Sequence, residues 1–424
     1  MSTNFKLPSL KIEKYTLENG LRVMLNPDDS APVVSVAVYY DVGSRNERKG
    51  RDGFAHLFEH IMFQGSENVA KSEHFQLISK AGGTMNGTTG SQRTNYYDVL
   101  PADQLPLAIW LESDRMKSLK ITQENLENQR AVVLEEKRQR YDNQPYGQIF
   151  DLLSEMVYSN FANSHSTIGS NEDLNAANLE DVAEFFRIYY APNNAVLCVS
   201  GSFEIDEAKS LIEKYFSTIP SQPKPVQVDV SEPVEVAVKQ RTWEDKLAPL
   251  PAFLIGWKVP PRRTKDFYAL YLAGKLLYEG ESSRLYQKLV KGEESVLQLF
   301  GFTDERRGPS MAVIGAIPKP DQDVKHIRQV IFDEISELSN NGVSVEEMEK
   351  LHNQLLNDEI RQRQSSISRA KQIAEYALYD NEPELVNTEL ENYLQVTADE
   401  IKSAVRKYLN TENRSELDVI PTQK

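Results

Sequence analysis

The stretch that decides the reading is Gly53-Phe54-Ala55-His56-Leu57-Phe58-Glu59-His60-Ile61-Met62-Phe63, closed by Gln64-Gly65. It contains no proline and ends on a glycine, the punctuation of a helix. Residues four apart share one face of a helix, so His56 and His60 can aim both imidazoles at one ion, at the ~2.0–2.1 Å Zn–N bond length. Glu59, three residues after His56, lies on the same side and can reach a water without being a ligand. Two imidazoles, a carboxylate and an open metal position are the parts of metal-assisted hydrolysis: the metal lowers the pKa of a water and the carboxylate moves its proton. The competing reading is a solvated polar helix face. Leu57, Phe58, Ile61, Met62 and Phe63 argue against it, because they bury much of this helix, and imidazoles and a carboxylate buried without partners are costly. A catalytic zinc takes a third protein ligand; the helical stretch Glu124 to Tyr141 offers Glu127, Glu135 and Glu136, and composition does not choose among them.

Outward from this helix the chain alternates strands and helices. Glu13–Leu17 and Leu21–Leu25 flank Asn19-Gly20 and predict a hairpin. Val33–Tyr40 is a β-branched and aromatic run that predicts a central strand. Ser72–Ala81 reads as a second helix and Thr84–Leu100 as a strand pair. Pro101–Lys117, Asp181–Tyr190 and Glu204–Phe216 read as helices, and Ala195–Ser200 as a strand. Five prolines between Pro220 and Pro249 mark a linker, with extended character at Val234–Lys239. Asp181, Arg187, Tyr189 and Asn194 are matched by Glu400, Arg406, Tyr408 and Asn413, each pair separated by 219 residues. This spacing points to a duplicated α+β unit of about 210 residues.

The chain has 424 residues, with 48 Lys+Arg against 63 Asp+Glu and a formal charge of −15. Hydrophobic residues make up 40% and charged residues 26%, which excludes a disordered chain. The acidic balance excludes a general nucleic-acid binder, which needs a basic footprint. The single cysteine, Cys198, excludes a disulfide framework and sits in the apolar run Val196–Val199, as a buried small hydrophobe would. No stretch reaches the length of a transmembrane segment, and Met1–Lys14 has no apolar signal core. The expected location is cytoplasmic, or periplasmic if a signal peptide has been cut away. His74 and His165 are not at ligand spacing and read as ordinary polar or surface residues.

His56-Leu57-Phe58-Glu59-His60 resembles the inverted zinc motif of the pitrilysin-like (M16) metallopeptidases, the inverzincins, a family that includes insulin-degrading enzyme and the mitochondrial processing peptidase. Similar stretches are Asp41-Val42-Gly43-Ser44-Arg45-Asn46-Glu47, Gln129 to Glu136, Thr167-Ile168-Gly169-Ser170 and Tyr190-Ala191-Pro192-Asn193-Asn194. The resemblance implies a third zinc ligand about 76 residues beyond the second histidine, which here is Glu136. It implies an α+β fold of two homologous mixed αβ half-domains in one chain, pairing with a second chain into a clamshell chamber. Residues 1–220 would be the zinc-binding catalytic domain, 221–248 a linker and 249–424 a related non-catalytic domain. Matching Gly65 to Gly280 sets Tyr271, Gly274 and Lys275 opposite His56, Glu59 and His60, and none of these three can serve the metal triad.

The implied activity is that of a Zn²⁺-dependent endopeptidase acting on peptides or unfolded segments, with Glu59 as general base and then proton donor. The alternatives are a processing peptidase with one dedicated substrate and a non-catalytic scaffold subunit of a larger assembly. Gly82 to Thr88 resembles the strand on which the family adds substrate as an extra β-strand; Asn86 would bind a substrate carbonyl and Phe58 would line the site. Two departures stand out. Gln129 replaces a glutamate that many members carry two turns before the third ligand, a change from a charged to a neutral partner. The second-half stretch Gly308–Pro318 lacks the Arg and Tyr that hold substrate in active members, with Arg284 and Tyr286 as weak substitutes. The resemblance then implies a heterodimer with a related subunit that supplies the Arg/Tyr pair, or a homodimer.

Overall fold

The computed structural model describes residues 7–233 and 236–422. The expectations for the first six residues, and for Val234-Glu235 within the extended stretch, lie outside the described residues. Two compact units are built from interleaved segments: residues 1–134, 166–228 and 357–390 in the first, and 135–165, 229–356 and 391–424 in the second. A contiguous division at 220 and 249 does not describe these units, because each takes a helical segment from the other stretch of chain.

The first unit holds a six-stranded sheet made of β1 (Glu13–Thr16), β2 (Arg22–Pro27), β3 (Val33–Tyr40), β4 (Thr84–Thr89), β5 (Thr94–Pro101) and β6 (Ala195–Gly201), in the order β1-β2-β6-β3-β5-β4. The predicted hairpin is β1–β2, with Glu13 opposite Leu25. β3 and β6 are central and buried almost throughout, as their Val, Ala, Tyr and Leu content requires. The helix Ser366–Asp380 covers one face: Ala370, Ile373, Ala374 and Ala377 recur at helical spacing and pack on Met24, Ala37, Tyr39, Val196 and Cys198. Cys198 is thus a core residue, as read. Four helices matter for the site: α1 (Phe54–Ile61), α2 (Glu73–Lys80), α3 (Leu105–Ser118) and α4 (Gln123–Lys137).

The second unit holds a five-stranded sheet of β7 (Val238–Asp245), β8 (Ala252–Val259), β9 (Val296–Asp304), β10 (Ser310–Pro318) and β11 (Arg414–Pro421), in the order β7-β11-β8-β10-β9. Here α5 (Ile149–Val157) is the covering helix, with Ile149, Leu152, Leu153, Met156 and Val157 on Leu254, Val313, Leu417 and Val419. The expected linker 221–248 needs correction: β7 lies inside it and pairs in parallel with β11. The 219-residue repeat is visible in the topology. The helices Leu179–Tyr189 and Ala398–Tyr408 lead into β6 and β11, and each of those strands is parallel to one neighbour and antiparallel to the other. The fold is therefore α+β with two related halves. No described helix is long and apolar enough to cross a membrane.

Candidate active site

The motif helix α1 starts abruptly. Gly53 has φ +84°, and a Cβ there would lie 2.5 Å from the Ile168 carbonyl oxygen, so only glycine fits this turn. No N-cap side chain closes the helix start. Instead the buried carboxylate of Glu47 accepts hydrogen bonds from the backbone N–H groups of Gly53 (2.9 Å) and Ala55 (2.7 Å). Two orphan donors are satisfied, and the negative charge sits at the favourable end of the helix dipole. Phe54, Ala55, Leu57, Phe58 and Ile61 are buried and fix the rotation of the helix.

That rotation leaves His56, Glu59 and His60 half-buried on one face. The two imidazoles stand edge to face with centroids 4.8 Å apart. Glu136, near the end of α4, meets them: one ligand atom from each of His56, His60 and Glu136 lies within 4.8 Å of the others. A tetrahedral zinc needs these atoms about 3.4 Å apart, given its ~2.0–2.1 Å bonds, a closure within reach of small side-chain rotations. Among the glutamates that the sequence left open, Glu135 is exposed and held by Arg138 and Gln139, which keep its carboxyl down at about 2. Glu127 accepts from Gln123 at the surface. Glu136 carries Arg140 as its ion-pair partner at 2.7 Å. A set of two imidazoles and one carboxylate fits zinc.

Glu59 faces the sheet. Thr89 of β4 donates to its Oε2 at 2.5 Å, and a Cβ on Gly87 would lie 3.2 Å from its Cγ. Tyr96, opposite Gly87 on β5, and Tyr190 lie close behind. Burial, then the Tyr190 phenol and the Glu59 carboxylate, push Tyr96 well above the ordinary tyrosine range, so its hydroxyl stays protonated. β4 is an edge strand with β5 as its one strand partner among the described residues, and Asn86 is exposed on it. The Asn86 side chain accepts from the Gly87 N–H at 2.9 Å.

Several expectations change. Phe58 does not line the site. It is 1% exposed and packs on Tyr190, Phe185 and Phe186 at 4.3, 5.6 and 5.9 Å, because its helix face points into the core. Gln129 is buried on α4, two turns before Glu136. Arg284 cannot stand in for a substrate-holding arginine: Glu347 binds it through two hydrogen bonds of 2.7 and 2.8 Å. His74 is not a surface residue but is buried at 5% exposure. His165 stacks on Phe161 at 4.1 Å. Sequence reasoning assigns no role to Thr89, or to Glu47 although Glu47 closes the family-like stretch Asp41–Glu47; the role of Thr89 comes from its hydrogen bond to Glu59 and that of Glu47 from the turn at Gly53.

The signature described as insulinase (peptidase family M16) matches residues 22–171, and the one described as the peptidase M16 inactive domain matches residues 176–355. The chain belongs to the pitrilysin-like M16 family. Among M16 relatives, it is 28% identical over 377 residues to the zinc protease PqqE of Helicobacter pylori, covering 88% of this chain and 84% of that one. It is 23% identical over 346 residues to the uncharacterized zinc protease YmxG of Bacillus subtilis, covering 81% and 82%. The crystal structure of a protease from Helicobacter pylori superposes with a TM-score of 0.93 at 26% identity, over 98% of this chain and all of that one. M16 relatives of this kind carry a peptidase-like role and imply zinc.

Proposed function

We propose that this M16 chain is a zinc endopeptidase that hydrolyses peptides or unfolded segments, with His56, His60 and Glu136 as zinc ligands and Glu59 as general base. The observation that carries the reading is the convergence of these three ligand atoms within 4.8 Å, beside a carboxylate that faces an edge strand. Zinc, when bound, acidifies a water and polarises the scissile carbonyl. Glu59 receives the proton of the attacking water and returns it to the amine of the leaving fragment. Thr89 holds one Glu59 oxygen and so orients the other. A peptide added along the outer edge of β4 bonds through its main chain and is accepted with little regard to sequence. Asn86 would then meet the carbonyl next to the cleaved bond.

In this reading the half built on β1–β6, which carries α1 and α4, is catalytic, and the related half built on β7–β11 is not. β10, which occupies Ser310–Pro318, has neither Arg nor Tyr, and Arg284 is held by Glu347. The reading therefore includes a second chain, a related subunit with the Arg/Tyr pair or a second copy, that completes the chamber. The test is hydrolysis of a mixed set of quenched fluorescent peptides by the purified chain, with Glu59→Gln as control and zinc content measured for both. Hydrolysis that disappears in the variant while zinc stays supports the reading. Hydrolysis unchanged in Glu59→Gln sinks it. Zinc bound without hydrolysis by the chain alone supports the related subunit over the second copy.

A further inference from the structure

A second group of ionisable side chains converges inside the first unit, away from α1. His74 on α2, Asp98 on β5 and Glu112 on α3 each bring one ligand atom within 4.8 Å of the others. His74 is 5% exposed, and Asp98 and Glu112 are fully buried. Glu112 is satisfied by Arg115, whose Nε donates to Oε2 at 3.1 Å and whose Nη2 donates to Oε1. The other two are not satisfied. Among the described residues, His74 Nε2 and both Asp98 carboxylate oxygens accept no hydrogen bond from an N–H or hydroxyl donor; His74 Nε2 and Asp98 Oδ1 stand 3.5 Å apart, and the Asp98 carboxyl lies against that of Glu112, where a proton or a cation is needed between them. Buried polar atoms left in this state are rare and costly, and each asks for what would satisfy it.

The charges favour a cation. Two carboxylates face one guanidinium, and the imidazole is neutral: burial, then the Arg115 charge, hold His74 down at about 3, which leaves a ring nitrogen lone pair available. Burial raises both carboxyls against the lowering Arg115 charge, and the facing Asp98 carboxylate raises Glu112 further, so one guanidinium does not offset two buried carboxylates. We propose that His74, Asp98 and Glu112 hold a second divalent ion, zinc or manganese, that ties α2 and α3 to β5. One imidazole and two carboxylates suit these ions and not a soft one. Arg115 remains the outer partner of Glu112 and orients it, as groups behind metal-binding carboxylates do.

The ion would be structural, taken up as the chain folds. Its effect would reach the first site through a short stack. The Arg115 guanidinium lies 4.3 Å from the Tyr96 ring centroid and 5.2 Å from that of Phe63. Tyr96 in turn backs Gly87, which faces Glu59.

The inference is separate from the peptidase reading, and its test keeps the two apart. The full chain and His60→Ala, which breaks the α1 site, are purified with zinc and manganese supplied, and metal is counted by mass spectrometry. Two ions per chain in the parent, one in His60→Ala and none in His60→Ala/Asp98→Asn are expected. The midpoint of thermal unfolding of His60→Ala should fall on chelation and recover with Zn²⁺ or Mn²⁺, a response that decides the matter even if the double variant does not fold. One ion in the parent, none in His60→Ala and no response to chelator would overturn the second site while leaving the first intact.

Discussion

The helix α1 and the helix Lys265–Leu277 occupy comparable places in the two related halves, each beside the edge strand of its sheet, yet the space between helix and strand is used in opposite ways. In the first half it holds the Glu59 carboxylate, admitted by Gly87 and tied to Thr89. In the second, Gly274 stands where Glu59 would, and the ring of Tyr278 fills the space. A Cβ on Gly274 would lie 2.3 Å from the Tyr278 hydroxyl, and one on Gly301 of β9 would lie 2.5 Å from its ring. The hydroxyl reaches Thr303 at 3.2 Å. Lys275, opposite His60, is buried, pairs with Glu279 at 2.7 Å and lies over the Tyr271 ring. The two regions teach that the scaffold does not require a polar gap. The first half keeps one at the cost of packing, and the second closes it with an aromatic ring.

The comparison can be broken most sharply at Glu59. Glu59→Gln keeps shape and removes the proposed proton carrier, so peptide hydrolysis should fall by about 10²- to 10⁴-fold, the usual worth of a positioned general base, with bound zinc unchanged by mass spectrometry. The converse change, Gly274→Glu, should yield neither metal binding nor hydrolysis in the second half, because the new side chain collides with Tyr278. Next in size is Tyr278→Ala. Removing a ring packed on two glycines leaves a cavity and should cost about 3 kcal/mol in urea unfolding, while activity per folded molecule stays at the parent level. Loss of hydrolysis without loss of stability would mean that the ring belongs to the catalytic machinery.

Much of this contrast is legible in the sequence. The spacing of His56, Glu59 and His60 and the offset to Tyr271, Gly274 and Lys275 are local patterns, and a helix converts them directly into shared faces. The edge position of β4 is less legible, because Thr84–Thr89 says only that the segment is a strand. What escaped is what depends on distant partners. His74 reads as a polar residue on a short helix, and its burial comes from Asp98 and Glu112, which lie more than twenty residues further along the chain. Phe58 sits between motif residues, immediately before Glu59, so sequence alone could not tell a site wall from a core ring; Phe185, Phe186 and Tyr190 decide it. The interleaving of 135–165 and 357–390 between the units was invisible because α5 and the Ser366–Asp380 helix carry ordinary amphipathic patterns that would suit either sheet.

The helix starts offer a smaller contrast. Lys265–Leu277 is capped locally by Thr264, whose hydroxyl accepts from the Phe267 N–H, whereas α1 relies on Glu47 from the preceding segment. Glu47→Ala should therefore cost about 1–2 kcal/mol and lower zinc affinity together, because the same helix end sets His56. Thr264→Ala should cost about 1 kcal/mol and leave zinc binding alone. Calorimetric unfolding and zinc titration of the two variants separate the cases, and equal effects on zinc would remove the distinction.

The smallest expected effect concerns the segment that reads as a linker. Glu232 is anchored in the second unit by the backbone N–H groups of Ser159 (2.9 Å) and Asn160 (3.1 Å), the Asn163 amide (2.7 Å) and Lys258 (3.0 Å). Burial works to raise its carboxyl, but the hydrogen bonds from Asn163, Ser159 and Lys258 outweigh it and hold the group below the usual glutamate range. A carboxyl depressed in the folded state stabilises it above the unfolded value of about 4.3, and that stabilisation is lost as pH falls through the folded pKa. Glu232→Gln should thus cost about 1 kcal/mol at pH 7, and the difference from the parent should shrink as the pH is lowered through 4. Because these Glu232 partners all belong to the second unit, hydrolysis by the folded variant should match the parent. A gap in stability that stays constant from pH 7 to pH 3 would show that the charge of Glu232 does not hold the segment, and that the second half is closed by its packing alone.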